Sequence, residues 1–298
     1  MNAKIKDRIA TGMFYLITFL ILGILIGLIG FILYRGIKVI DWEFLTEAPG
    51  SLLTGGGGVG PQLFNSFYLL ILTMLITIPL GLGGGIYMAE YAKPGRLTKM
   101  LRVSIEVLSS LPSIVVGLFG LLIFVQYTGW GFSLLAGALT LTVFNLPLMV
   151  RVVEQALTAV PREQKEASLA LGITHWQTIL RVLLPAALPG IVTGTILAAG
   201  RVFGEAAALM FTAGMTSPML DFTDWDPSSP TSPLNPFRPA STLAVHIWKV
   251  NAESIVADAK EVASGASALL VIAVLIFNLF ARWLGHFIHA RLTSGSKS

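Results

Sequence analysis

A chain of 298 residues that is 54% hydrophobic and only 12% charged has too few charges to cover a water-facing surface. With a mean hydropathy of +0.78 it reads as an integral membrane protein, and having no cysteine it has no disulfides, thiolate metal sites or cysteine nucleophiles. The net charge of +4 matters less than where the cations fall.

The first apolar run, Thr11 to Tyr34, follows Lys4, Lys6 and Arg8, as a signal peptide would. It exceeds the ~7–15 residues of a signal-peptide core and lacks a small-x-small cleavage site, so it is read as a retained anchor. Further spans are predicted at Leu63 to Tyr91, Val103 to Tyr127, Phe132 to Val150, Ala186 to Ala213 and Ala263 to Ala281. Each is near the ~20 residues a bilayer needs, and the expectation is an all-α membrane protein with about six transmembrane helices. The cations then orient it. Those of the N-terminus (Lys4, Lys6, Arg8), the second connection (Lys93, Arg96, Lys99, Arg102), the fourth (Arg151, Arg162, Lys165, Arg181) and the C-terminus (Arg282, Arg291, Lys297) share one side. Arg35, Lys38, Arg238, Lys249 and Lys260 face the other, so the positive-inside rule puts both termini in the cytoplasm.

Gly55 to Gly58 with Gly60 lack the Gly-Lys-Ser/Thr ending of a phosphate loop and lie on the outer side; they are read as a flexible lead into the second span. Glycines 81, 83, 84 and 85 after Pro79 fit close packing or a kink. Glu90 and Glu106 stand at span ends and receive no role. The outer connection, Gly214 to Val262, begins with the Pro, Asp and Ser stretch Ser217 to Pro239 and continues with a helix-capable stretch, Leu243 to Lys260. It is either a solvated loop with a surface helix or a docking surface for an extracytoplasmic partner. His286 and His289 lack a third ligand and are read as a cytoplasmic flank.

The cytoplasmic connection from Thr158 to Pro185 carries the most local information. Pro161 suits the first turn of a helix, Gly172 its stop, and Thr174 with Gln177 three residues on makes a capping box that starts a second helix. Two short helices with a turn are predicted, presenting Leu169, Ile173, Trp176, Ile179 and Leu180 among polar neighbours. Such an apolar patch on a water-facing loop marks a protein contact.

Glu166, Ala167, Ser168, Gly172, Val182, Leu184 and Pro185 follow the pattern Glu-Ala-Ala, three residues, Gly, nine residues, Ile-x-Leu-Pro, which resembles the EAA loop of ABC importer permeases. Ser168 for Ala and Val182 for Ile are small departures. The resemblance implies a type I ABC importer permease (MetI-like) fold in which this helix pair couples to a cleft of the ATPase, with Trp176 among the contacts. The run Leu108 to Phe119, the segment Asn145 to Arg151 with Glu154, and Gly200, Arg201, Gly204, Glu205 and Ala206 look like phosphate permeases of the PstA type over about Pro61 to Arg282. That likeness implies a heterodimer with a PstC-like permease, a PstB-like ATPase dimer and an external PstS-like phosphate-binding protein. ATP and Mg would sit on the ATPase, with no cofactor on this chain and no nucleic-acid partner. The expected organisation is an N-terminal helix and outer loop, 1–60, a permease domain, 61–285, containing the coupling loop 158–185, and a tail, 286–298.

A helix starting near Ala186 would carry Arg201 ~22 Å into the membrane and Glu205 ~6 Å further. An arginine there costs about 2.5–3.5 kcal/mol on the lenient insertion scale, so both side chains should face the bundle interior or a watery cavity. Their i, i+4 spacing would let them pair, either as a clip between helices or as a gate in which an anion competes with Glu205 for Arg201. Arg151 and Glu154, an i, i+3 pair, read as an ordinary basic flank; the PstA resemblance suggests Arg151 at the exit of the anion path. A permease for molybdate or sulfate, and an intramembrane enzyme, stand as alternatives, the second with only Arg201 and Glu205 at membrane depth to support it.

Overall fold

The computed structural model describes residues 3–50, 57–253 and 259–294, and of 3, 5, 6, 253 and 288–294 the backbone alone. Gly55, Gly56 and the tail 295–298, with Lys297, lie outside the described residues, as do the side chains of Lys6, His289 and Arg291. Among the described residues there is no β-strand, only an isolated antiparallel bridge between Pro49 and Gly57.

Five helices are long and apolar enough to cross a membrane, and a sixth span is possible if one bent pair is counted as one. In chain order the elements are α1 (Ala3–Gly36), α2 (Trp42–Thr46), α3 (Gly60–Ile86), α4 (Arg96–Ser110), α5 (Ser113–Gly120) and α6 (Leu134–Thr158). They continue with α7 (Arg162–Ala170), α8 (His175–Thr178), α9 (Leu184–Gly204), α10 (Ala207–Thr212), α11 (Leu243–Glu253) and α12 (Ala259–Ser294). Pro61 sits in the first turn of α3, where its missing N–H costs nothing, and the helix ends in a π-helical turn, Tyr87–Tyr91. Ser133 caps α6 by accepting from the Ala136 amide at 3.2 Å.

The predicted third span, Val103 to Tyr127, is not one straight helix. α4 and the segment Ser113–Tyr127 meet at 102°. Pro112 disfavours the α conformation at Leu111, which is extended (ψ 137°), so the chain turns there although hydropathy runs on. α4 buries none of its residues in this chain. The predicted fifth span is altered at both ends. It begins at His175, because α8, a π-helical turn (Ile179–Leu183) and α9 form one helix of 30 residues. It stops at Gly204, since Glu205 is extended (ψ 125°), and α10 starts afresh.

α3 and α6 form the central pair. A Cβ on Gly81 would lie 2.4 Å from Met149 Cγ, on Gly84 2.8 Å from Val150 Cγ2, and on Gly85 2.4 Å from Val153 Cβ, whereas Gly83 faces open space. The glycine run is thus a packing seam. α10 packs as closely on α5, where a Cβ at Gly117 would approach Ala208 Cα to 2.7 Å. One core cluster joins Leu69, Leu141, Val202 and Leu209 at mid-bundle; a second joins Met149, Val153, Ile179 and Leu183 towards the coupling loop. α1 is unburied along its apolar window and packs against α12, where Gly36 lies on Ser264 and Ala268.

The outer connection is a solvated loop only in part: residues 219–231 are largely exposed, whereas 232–246 are mostly buried, so the start of α11 is not a surface helix. The backbone of the connection enters the bundle, with Leu134 N–H donating to Arg238 O at 3.0 Å and Ala240 N–H to Ala213 O at 2.9 Å. Leu243 and Val245 of α11 are fully buried. The buried Arg238 donates through Nη2 to Asn65 Oδ1 (2.7 Å) and Pro233 O (3.0 Å); burial lowers its pKa to about 10, which leaves it charged at neutral pH. Gly57, Gly58 and Gly60 are likewise packed and not a flexible lead, since a Cβ at Gly58 would meet Phe44 O at 2.5 Å.

Candidate functional site: a coupling loop and a broken membrane helix

The connection between α6 and α9 folds largely as its punctuation dictates. Pro161 precedes α7, and Gly172, at φ +76°, ends it in a left-handed conformation that a side chain would strain. The Thr174–Gln177 capping box is formed in both directions, at 3.4 and 3.3 Å. The second helix, however, is the leading turn of the long helix His175–Gly204 and is not a short separate piece.

Leu169, Trp176 and Leu180 are exposed as expected, Trp176 to 52%. Ile179 is not part of the patch: it is fully buried against the second core cluster. The most exposed member is Leu171, at 81%, which helical periodicity does not reveal because it sits at the C-cap. Glu166 and Ala167 face outward and Pro185 is half-buried at the start of α9. Ser168 turns inward, and its hydroxyl lies 2.9 Å from that of Thr178, joining α7 to α8 in a buried hydrogen bond that alanine could not make. Glu90, with a side chain only 8% exposed, meets both helices: Oε2 accepts from Lys165 Nζ at 2.5 Å and lies 2.8 Å from His175 Nε2. The sequence offers one hint, a lone acid beside the basic run Lys93 to Arg102, but its partners lie 75 and 85 residues away.

At membrane depth the expected Arg201–Glu205 pair is absent. No ion pair within 4 Å joins them, because the helix ends at Gly204 and Glu205 no longer shares a face with Arg201. Glu205 Oε1 instead accepts from the Ala208 amide at 3.3 Å, in the first turn of α10. The Arg201 guanidinium lies over the Phe144 ring, 3.9 Å from its centroid. Phe144 is ten residues into α6, roughly 15 Å from the helix start, so Arg201 stands near mid-membrane and faces the bundle as expected. The 205–206 break leaves irregular backbone at that depth, which membranes accept where it is packed in protein or lines a cavity.

Arg151 does not pair with Glu154. Glu154 Oε1 instead accepts from Arg102 Nη2 on α4 at 2.5 Å. Arg151 is exposed and lines a cleft of about 520 Å³ between α4 and α6, with Arg102, Glu106, Glu154, Gln155 and Thr158. Among the described residues no group of three His, Asp or Glu is placed to hold a metal.

Residues 81–294 match the family described as "Binding-protein-dependent transport system inner membrane component". The probable ABC transporter permease protein YqgI of Bacillus subtilis is 59% identical over 294 residues, covering 99% of this chain and all of the relative. The phosphate transport system permease protein PstA of Pasteurella multocida is 32% identical over 284 residues, 94% of each chain. A solved bacterial alginate ABC transporter, in complex with its alginate-bound periplasmic protein, shares the fold with a TM-score of 0.67 over 95% of this chain and 96% of that one, at 14% identity.

Proposed function

The chain belongs to the binding-protein-dependent transport system inner membrane components, the permeases of ABC importers, and on that footing we propose that it moves inorganic phosphate into the cell. The observation that carries the choice of substrate is the PstA relative, similar over nearly the whole length of both chains, together with Arg201, a cation near mid-membrane with no carboxylate partner among the described residues. Its planar donors suit a pair of phosphate oxygens. Glu205 is not a competing counter-ion in this proposal; it fixes the break beside which the anion passes. Arg151, in the cleft between α4 and α6, receives the anion on the cytoplasmic side.

Energy comes from outside the chain. A PstB-like ATPase dimer holds ATP and Mg²⁺ and docks on Leu169, Leu171, Trp176 and Leu180, with the Glu166–Ala167–Ser168 turn and Gly172 setting the shape of the contact. A PstC-like permease completes the pathway, and a PstS-like protein delivers phosphate at the outer face. Closure of the ATPase displaces the loop and rocks the spans between outward and inward access.

Arg201→Gln should abolish uptake of labelled phosphate by the assembled complex while leaving assembly intact. Unchanged transport would reduce Arg201 to a packing role. Uptake by the unaltered complex that molybdate or sulfate suppresses, and phosphate does not, would assign the pathway to another oxyanion.

A further inference from the structure

α7 is the first helix of the coupling loop, and it buries only Ser168. Beneath it is a cavity of about 360 Å³ whose lining includes Ala89, Glu90, Leu157, Lys165, Leu169 and Leu183. A helix over a cavity is not held by apolar packing, so the force that fixes it must come from specific contacts. Two polar contacts reach it: Ser168 to Thr178, which ties α7 to α8, and Lys165 to Glu90, which ties α7 to the end of the second span. His175 of α8 comes to the same Glu90 oxygen, with its ring 5.2 Å from that of Tyr91.

Both helices of the loop thus converge on one nearly buried carboxylate at the end of α3. α3 in turn is packed on α6 along the glycine seam. α8 already continues into the fifth span; what the loop lacks is a rigid path into the second. We propose that Glu90 is that path: a positioning residue that latches the coupling loop, through Lys165 and His175, to the second span and so passes the loop's displacement to the α3–α6 pair. The inference rests on the loop being the ATPase contact. It differs from a docking role, because the Glu90 side chain is only 8% exposed, whereas Leu171 and Trp176 of the apolar patch are open to solvent. A carboxylate held by Lys165 and lying against His175 resists being pulled apart but still allows each partner to pivot, which suits a joint that must transmit a push while the helices reorient.

The test uses the whole complex with its ATPase in lipid nanodiscs, and hydrogen exchange with and without a non-hydrolysable ATP analogue. In the unaltered complex the analogue should change exchange severalfold both in the loop, 162–178, and at the end of the second span, 86–95. In Glu90→Gln the ATPase should still co-purify and the loop should still respond, but the response at 86–95 should vanish and phosphate moved per ATP hydrolysed should fall about tenfold or more. The charge exchange Glu90→Lys with Lys165→Glu should restore both readouts, which a residue needed only for folding would not do. A Glu90→Gln complex in which 86–95 still respond overturns the latch, as does one that loses the ATPase. A loop that does not respond even in the unaltered complex overturns the docking reading instead, so the two failures are distinguishable.

Discussion

The glycine seam between α3 and α6 allows a substitution series in which helix propensity cancels. Ala replaces Gly at 81, 83 and 85 of one helix, so each variant gains a similar propensity of up to about 1 kcal/mol, and differences between them report packing alone. At Gly83 the new Cβ meets nothing within 4 Å, and the variant should be as stable as the parent or slightly more so. At Gly81 it would fall 2.4 Å from Met149 Cγ, which can swing aside, and 2.8 Å from Met149 Cβ, which is fixed to the backbone but lies farther off than the Val153 Cβ at Gly85. At Gly85 it would fall 2.4 Å from Val153 Cβ and 3.0 Å from the Val150 carbonyl oxygen, both fixed to the α6 backbone. Relief there requires the helices to separate, for which overpacking costs of about 1–3 kcal/mol are typical. The melting temperature of detergent-solubilised protein should therefore be highest for Gly83→Ala, lower for Gly81→Ala and lowest for Gly85→Ala, with uptake falling in the last. If Gly85→Ala and Gly83→Ala melt together, the seam is not a steric contact and the reasoning fails.

Trp176→Ala and Leu171→Asp should each reduce co-purification of the ATPase, the more exposed Leu171 position at least as strongly; full co-purification with full uptake in both would remove the patch from the docking site. His246, 7% exposed on α11, has its pKa lowered to about 4, first by burial and then by Lys249. The unfolded chain takes up the proton near 6.5 and the folded chain only near 4, so stability is complete above about pH 6.5 and falls as pH drops through that window, by about 2 kcal/mol at pH 5. His246→Phe should show a smaller loss of melting temperature between pH 7.5 and 5 than the parent, and an identical loss would exclude His246 as its source.

Much of this architecture was legible in the sequence because it is set locally. Capping by Thr174 and Gln177, the stop at Gly172 and the apolar span lengths each depend on a few adjacent residues. What escaped depends on bends and distant partners. Hydropathy is blind to direction, so Leu111–Pro112 read as the interior of one span, although proline chemistry marks the turn. The break at Glu205 has no breaker residue except Gly204; the tight seating of α10 on α5, at Gly117 and Ala208, holds a conformation that the local sequence does not demand. The same break explains the lost Arg201–Glu205 pair, whose spacing argument assumed an unbroken helix. Glu90 looked idle at a span end because its partners are brought to it only by the fold.

The pairing of α1 with α12 sets a schedule for the chain's own making. α1 leaves the ribosome before α12, and its close contact at Gly36 is with Ser264 and Ala268, residues of α12. At elongation rates of about 5–20 residues per second the first helix waits roughly ten to forty-five seconds in the bilayer before its neighbour exists. During that interval its contact surface at Gly36 has no partner from α12, so a chain cut short before Ser264 leaves that surface uncovered.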